Sequence, residues 1–216
     1  MAAPRRQTRR NDYIETESGN RISRKAVILG SQHILLGGRS TVLPECVVHG
    51  DLRKPTAAGT TGAAAVAVSM GRYTFLEKRV VIRPPFKMYK GSVVYYPLKI
   101  GNYVTVGEGS VLESALIGSH VRIGKNCVIG KFAILKDCVV VLDSAVIAAS
   151  AVIPPLSVVA GNPARVIAEL PETAAEVLER RARQLHALHG QELSVDSGEG
   201  IRRTVFDDDV DDEFEL

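Results

Sequence analysis

The chain has 216 residues, a formal net charge of +3, 45% hydrophobic residues, only 5% aromatic residues and no tryptophan. That is enough for one sizeable domain with appendages, and the scarcity of rings excludes an aromatic-rich core in favour of a repetitive one of small aliphatic side chains. No apolar run reaches the ~20 residues of a membrane-spanning helix; no hydrophobic stretch follows the first arginines to make a signal peptide; and Cys46, Cys127 and Cys138 lack metal-ligand spacing, reading as reduced, space-filling thiols of a cytosolic protein.

Residues 1–11 carry Arg5, Arg6, Arg9 and Arg10 and read as a disordered basic arm. The RRQTRR stretch could meet phosphate, but it is short, terminal and without an aromatic stacking platform, so no nucleic-acid partner is expected. From residue 12 a six-residue period takes over. It is clearest in Ile117, Ile123, Ile129, Leu135, Val141, Ile147, Ile153 and Val159, with compact residues such as Cys127, Ala133 and Ala145 four positions after the periodic ones. Upstream the period continues, with phase breaks, as Ile22/Ile28/Ile34, Val42/Val48, Met70/Leu76/Ile82 and Ile100/Val106/Leu112. Six is the hexapeptide period of a β-helix. The predicted fold is therefore all-β: a left-handed parallel β-helix over residues 12–168, of about seven triangular coils. At ~4.8 Å per coil it stands roughly 33 Å tall. Glycine and other compact residues suit its crowded corners, where glycine tolerates positive φ.

The phase breaks mark where the chain leaves the regular coil, and each fits the junction between one coil and the next. Two long excursions, residues 53–67 and 83–97, are thus expected on one corner. The first is Ala/Gly/Thr-rich and reads as a flexible loop. The second gathers four of the chain's eleven Phe and Tyr residues beside Arg83, Lys87 and Lys90. Its rings either pack on the prism or form a basic-aromatic recognition surface. After the last coil, Pro171 and Gly190 bracket an expected helix over residues 169–190. Its apolar stripe, Ala174, Leu178, Ala182, Leu185 and Leu188, is expected to dock on the prism flank. Residues 191–216 lack a packing pattern and carry seven acidic residues within 207–216, reading as a disordered acidic tail.

Catalytic chemistry finds little to build on. A zinc site needs converging imidazoles, whereas His33, His49, His120, His186 and His189 lack the HxxxxH pair of the γ-class carbonic anhydrases, which VVHGDL (47–52) otherwise resembles around its turn. Acyl transfer by a homotrimer is the alternative. VVAGNPARVI (158–167) is similar to the closing motif of hexapeptide acyltransferases, and His120 is the candidate general base. The plainer reading of GNPA is a turn from the last coil.

Several segments in order, YIETESGNRISRKAVILGSQHILLGG (13–38), VVHGDL, VVIRPPFKMYKG (80–91), YYPLKIGNYVTV (95–106) and IGSHVRIGKNCVIGKFAILKDCVVVLD (117–143), resemble the dynactin subunit 5 family of small β-helical subunits over roughly residues 12–172. The residue 53–67 segment, GNPARVI and the acidic tail depart from that pattern. The resemblance implies a non-catalytic protein without cofactor or metal. It would pair with the paralogous β-helical dynactin subunit 6 and sit with the actin-related and zinc-containing subunits at the pointed end of dynactin. There it would help dynein–dynactin engage cargo adaptors for early endosomes and for nuclear or kinetochore-linked cargo, in the cytoplasm on the microtubule cytoskeleton, with no insertion into membrane. The expected adaptor-facing residues are Arg83, Phe86, Lys87, Tyr89, Lys90 and Lys99, because acidic coiled-coil adaptors suit a basic patch with aromatic anchors.

Overall fold

The computed structural model describes residues 12–53 and 66–195. Short strands of two to five residues wind into a three-sided prism, the left-handed β-helix. Face 1 stacks Arg21–Ser23, Thr41–Val42, Phe75–Leu76, Thr105–Val106, Arg122–Ile123, Val139–Val141 and Ser157–Ala160 in parallel. Face 2 stacks Val27–Leu29, Val47–His49, Val81–Ile82, Val111–Leu112, Val128–Ile129 and Val146–Ile147. Face 3 stacks Ile34–Leu36, Val68–Met70, Leu98–Ile100, Leu116–Ile117, Ile134–Leu135 and Val152–Ile153.

The register makes three inward columns. They are Ile22, Val42, Leu76, Val106, Ile123, Val141 and Val159 on face 1; Ile28, Val48, Ile82, Leu112, Ile129 and Ile147 on face 2; and Leu36, Met70, Ile100, Ile117, Leu135 and Ile153 on face 3. From Val42 onward these residues are buried and form one continuous core with the compact Cys46, Val104, Cys127, Ala133 and Ala145.

Two sequence expectations change here. On face 3 of the first coil Ile34 and Leu36 both turn toward the core, but it is Leu36, in register with Met70, that continues the inward column. A 3-10 turn at Ser31–His33 displaces the phase by two residues before the strand begins. With that correction, every phase break lies on the corner between faces 2 and 3. Both excursions leave from it; residues 54–65 of the first lie outside the described residues. Glycine takes the expected left-handed corner at Gly109, with φ of +72°, and has a second role besides. Gly101, Gly107, Gly118, Gly124 and Gly130 do not have positive φ; a Cβ on Gly124 would lie 2.7 Å from the Asp143 backbone nitrogen in the next coil. Most left-handed corner positions are held by side-chain-bearing residues, among them Arg39, Tyr73, Tyr103, His120, Cys138 and Leu156. Their strain is offset by a ladder of backbone bonds from one coil to the next, such as Tyr103 N–H to Arg72 C=O at 2.8 Å and His120 N–H to Asn102 C=O at 2.9 Å.

Face 1 is closed at both ends by antiparallel strands, Tyr13–Glu15 on the first coil and Arg165–Glu169 on the last. These cover its strand edges, which would otherwise invite association. The segment expected to begin a helix at residue 169 therefore starts as this returning strand. The helix runs Ala174–Val195 and passes through Gly190. Gly190 is no stop: the helix continues through it, with an Arg21 guanidinium nitrogen 2.6 Å from where a Cβ would sit. The 22-residue helix spans about 33 Å at its 1.5 Å rise, the height of seven stacked coils. It runs back along face 1, with Ala174 and Leu178 against Val140 and Val158. At its far end His189, rather than the expected Leu188, is buried, against Tyr13 and Phe75; Leu188 is 39% exposed. The basic arm and the acidic tail from residue 196 lie outside the described residues.

Ile129 and Val128 are neighbours on one strand, one pointing into the core and the other outward. Ile129→Ala is expected to cost about 2–5 kcal/mol and Val128→Ala under about 1 kcal/mol, compared by denaturant unfolding. Similar losses at both would contradict this register.

Candidate interaction surfaces

The excursion of residues 83–97 is a β-hairpin, Phe86–Tyr89 paired antiparallel with Ser92–Tyr95. Lys90 and Gly91 form its tip with φ of +48° and +78°, the double positive φ that a two-residue hairpin turn requires. Its base packs on the prism. Phe86 meets Tyr95 edge-on at 5.7 Å, Tyr96 meets Phe132 at 5.3 Å, the Lys87 ammonium stands 4.6 Å above the Phe132 ring, and Lys131 stands 3.8 Å above Phe86. These cation–ring contacts anchor the hairpin to a corner two coils further on. Arg83 is held by Glu113 at 3.3 Å. The tip is different: Met88 and Tyr89 are 64% and 61% exposed, Val93 is also exposed, and Lys90 lies 5.5 Å over the Tyr89 ring.

Of the six expected site residues, five therefore lie on one hairpin or at its root. Arg83, Phe86 and Lys87 are tied to the prism, and Tyr89 and Lys90 are free at the tip. Lys99 stands apart, exposed on the outer side of face 3. Sequence reasoning missed Met88 and Val93 as part of the tip, and Lys131 and Phe132 as its anchor.

A second surface is the outer side of face 2. Val27, Val47, Val81, Val111, Val128 and Val146 stack in register, an apolar ladder with Val27 and Val128 exposed. Parallel sheets are normally covered on both sides, and among the described residues nothing covers this one as the helix covers face 1. The mouth of the first coil is also apolar and open, a cavity of about 90 Å³ lined by Ile22, Ile28, Ile34, Leu36, Val42, Val48 and Met70.

The third is a cleft of about 400 Å³ where the corner between faces 3 and 1 meets the helix, lined by Ser18, Arg39, Arg72, Tyr73, Tyr103 and Arg183. Corner residues of successive coils stack there: Tyr73 on Tyr103 at 5.4 Å and Tyr103 on His120 at 5.1 Å, rings within 16° of parallel. Guanidinium groups of Arg39 and Arg183 lie 5.6 Å from the Tyr73 ring. The signal was present in the sequence: Arg39, Tyr73, Tyr103 and His120 each follow an inward face-3 residue by three.

The candidate base His120 is part of this stack. Its Nε2 lies 3.5 Å from a Glu179 oxygen on the helix, and Glu179 also pairs with Arg183. The five histidines are scattered: His33 and His49 near the corner of faces 2 and 3, His120 on the opposite corner, His186 and His189 on the helix. Among the described residues no three metal-ligating side chains are grouped. The thiols of Cys46 and Cys127 are buried, and burial raises the Cys46 pKa to about 11, the wrong direction for a nucleophile.

These features define a hexapeptide-repeat β-helix whose departures from regularity are exposed, non-convergent surfaces. The family model for dynactin subunit 5 matches residues 6–186, and the chain belongs to that family. A Dictyostelium discoideum protein named dynactin subunit 5 is 38% identical over 110 residues, 51% of this chain and 49% of that protein, so the match spans about half of that relative's length. A provisionally assigned carbonic anhydrase of Methanocaldococcus jannaschii is 39% identical over 162 residues, 75% of this chain and 87% of that one. Among solved structures, a hexapeptide transferase family protein of Anaplasma phagocytophilum is similar with a TM-score of 0.56 at 17% identity, covering 80% of this chain and 92% of that one. A Bacillus cereus protein provisionally assigned as an acetyltransferase has a TM-score of 0.51 at 19% identity, with 85% and 95% covered. At these identities the two structures share the fold and carry no argument about chemistry.

Helix docking carries a pH dependence. Burial, then the neighbouring Arg21 charge and His186, push the His189 pKa down to about 4, and burial also lowers that of His186. The unfolded chain protonates near pH 6.5, so the stabilisation is complete above that pH and is lost as the pH falls toward 4. His189 accounts for up to about 3 kcal/mol of that loss. Unfolding midpoints at pH 7.5, 5.5 and 4 are expected to fall in that order, with a shallower decline in His189→Phe.

Proposed function

We propose that this protein is a non-catalytic subunit of the dynactin pointed-end complex. It pairs with the paralogous β-helical subunit 6, neighbours the actin-related and zinc-containing subunits, and presents a surface to dynein cargo adaptors on early endosomes and on nuclear or kinetochore-linked cargo. Its place would be the cytoplasm, with dynactin on microtubules. Family membership supports the subunit role. The observation that carries the adaptor assignment is the hairpin: an anchored base holds an apolar, basic tip away from the prism. A preorganised tip binds without the cost of ordering a loop. Tyr89 with Met88 offers the anchor and Lys90 the charge for an acidic helix, with the tethered Arg83, Phe86 and Lys87 behind them and Lys99 as a separate basic group on face 3. The valine ladder of face 2 is the surface suited to a second β-helical subunit, because its flat apolar side gains by losing water against another such face.

The acyltransferase alternative is weaker. Its candidate base is stacked on Tyr103 at the helix, and the GNPARVI segment is spent on the turn and strand that close the last coil.

The test is affinity purification of the tagged protein from its own cells, with the co-purifying chains identified by mass. Recovery of a second hexapeptide-repeat chain and actin-related subunits is expected; a homotrimer alone would overturn the reading. Tyr89→Ala with Lys90→Glu is expected to weaken adaptor capture roughly tenfold or more while sparing the complex. Val81→Arg with Val111→Arg is expected to release the β-helical partner while sparing the fold, read by circular dichroism.

A further inference from the structure

The cleft between the helix and the corner of faces 3 and 1 has no part in the reading above. Its walls are three arginines and two tyrosines. Arg183 is paired with Glu179 and reaches the Tyr103 hydroxyl at 3.3 Å. Arg39 bonds only the Tyr73 hydroxyl, and Arg72 projects into solvent; among the described residues no carboxylate pairs with either. Exposed guanidinium groups beside stacked rings, around an open volume of about 400 Å³, suit carboxylate groups on a peptide, each acceptor matching a planar donor fork.

The chain carries such a peptide. Residues 207–216, DDDVDDEFEL, hold seven carboxylates and one aromatic residue, Phe214. Reach is ample. The helix ends at Val195, twelve residues beyond Arg183 and so about 18 Å along its axis. Residues 196–206 can extend over roughly 36 Å, twice the distance needed to return. Attachment also raises the effective concentration of the acidic segment to the millimolar range.

We propose that this cleft is a binding site for an acidic peptide and that its resident occupant is the chain's own residues 207–216. Arg39, Arg72 and Arg183 receive the carboxylates, and Phe214 lies against the tyrosine wall. The tail then guards a basic surface that would otherwise attract unrelated anions, and any acidic partner segment must displace it.

The test uses the full chain and a tail-neutralised form carrying D207N, D208N, D209N, D211N and D212N. A fluorescein-labelled peptide of residues 207–216 is titrated into each at low salt. It is expected to bind the neutralised chain at least tenfold more tightly than the native chain, whose site is filled in cis. Binding to the neutralised chain is expected to drop at least tenfold on adding R39E and R72E, and to weaken steeply between 50 and 500 mM salt. Both arginines are exposed, so an unchanged melting temperature checks the fold. Amide exchange around residues 37–40 and 71–74 is expected to be slower in the native chain than in either variant. Equal peptide binding by native and neutralised chains, binding indifferent to R39E and R72E, or exchange unaffected by the tail would each overturn the proposal.

Discussion

Coil-on-coil hydrogen bonding at a spacing of about 4.8 Å is the constraint from which the rest of this structure follows. Each strand is only a few residues long, so no coil holds its shape alone; it is held by N–H groups donating to the coil beyond. That ladder tolerates no drift, since a slip of one residue would turn every core side chain outward. The glycines answer this demand for closeness. At Gly101, Gly118 and Gly124 the next coil passes too near for a Cβ, while most of the left-handed turns are borne by residues with full side chains.

A lattice this strict confines irregularity to places where the chain can leave and return without disturbing the ladder. All the departures use the corner between faces 2 and 3, including the shortened step from Leu112 to Ile117. The hairpin grows from that corner, and its base is pinned by Phe132 and Lys131. The opposite solution serves face 1, where the two end strands and a helix as long as the prism is tall cover the sheet. Among the described residues face 2 has no such cover, and its outward valines repeat in step with the core.

Repetition also writes side chains into columns on the outside. Because each coil repeats the same conformation, a corner residue stacks on its counterpart above: arginine on tyrosine, tyrosine on tyrosine, tyrosine on histidine. A corner column beside a helix becomes a cleft, and an outward column on a bare face becomes an apolar stripe. Such columns set chemistry side by side along the outside of the prism without bringing reactive groups to one point. The His120–Glu179 pair lies on such a column and links the helix to the stack.

Much of this was legible beforehand. The hexad period determined the prism, its core columns and the corner from which the excursions leave, because a one-dimensional repeat under a fixed spacing has few solutions. The resemblance of segments such as VIRPPFK and IGKNCVIG pointed to the family. The period could not distinguish Ile34 from Leu36, since two apolar residues two apart serve a strand equally and only pairing with Met70 decides. Nor could local patterns see that residues 165–169 return as a strand, or that the helix continues through Gly190, beside which the Arg21 guanidinium lies. The anchoring of the hairpin on Phe132 and the meeting of Arg39, Arg72 and Arg183 likewise join residues up to 144 positions apart. The sequence by itself determined the lattice, because the lattice is local and repeated; only the tertiary structure decided the surfaces, because they form where non-repeating segments fold back across coils.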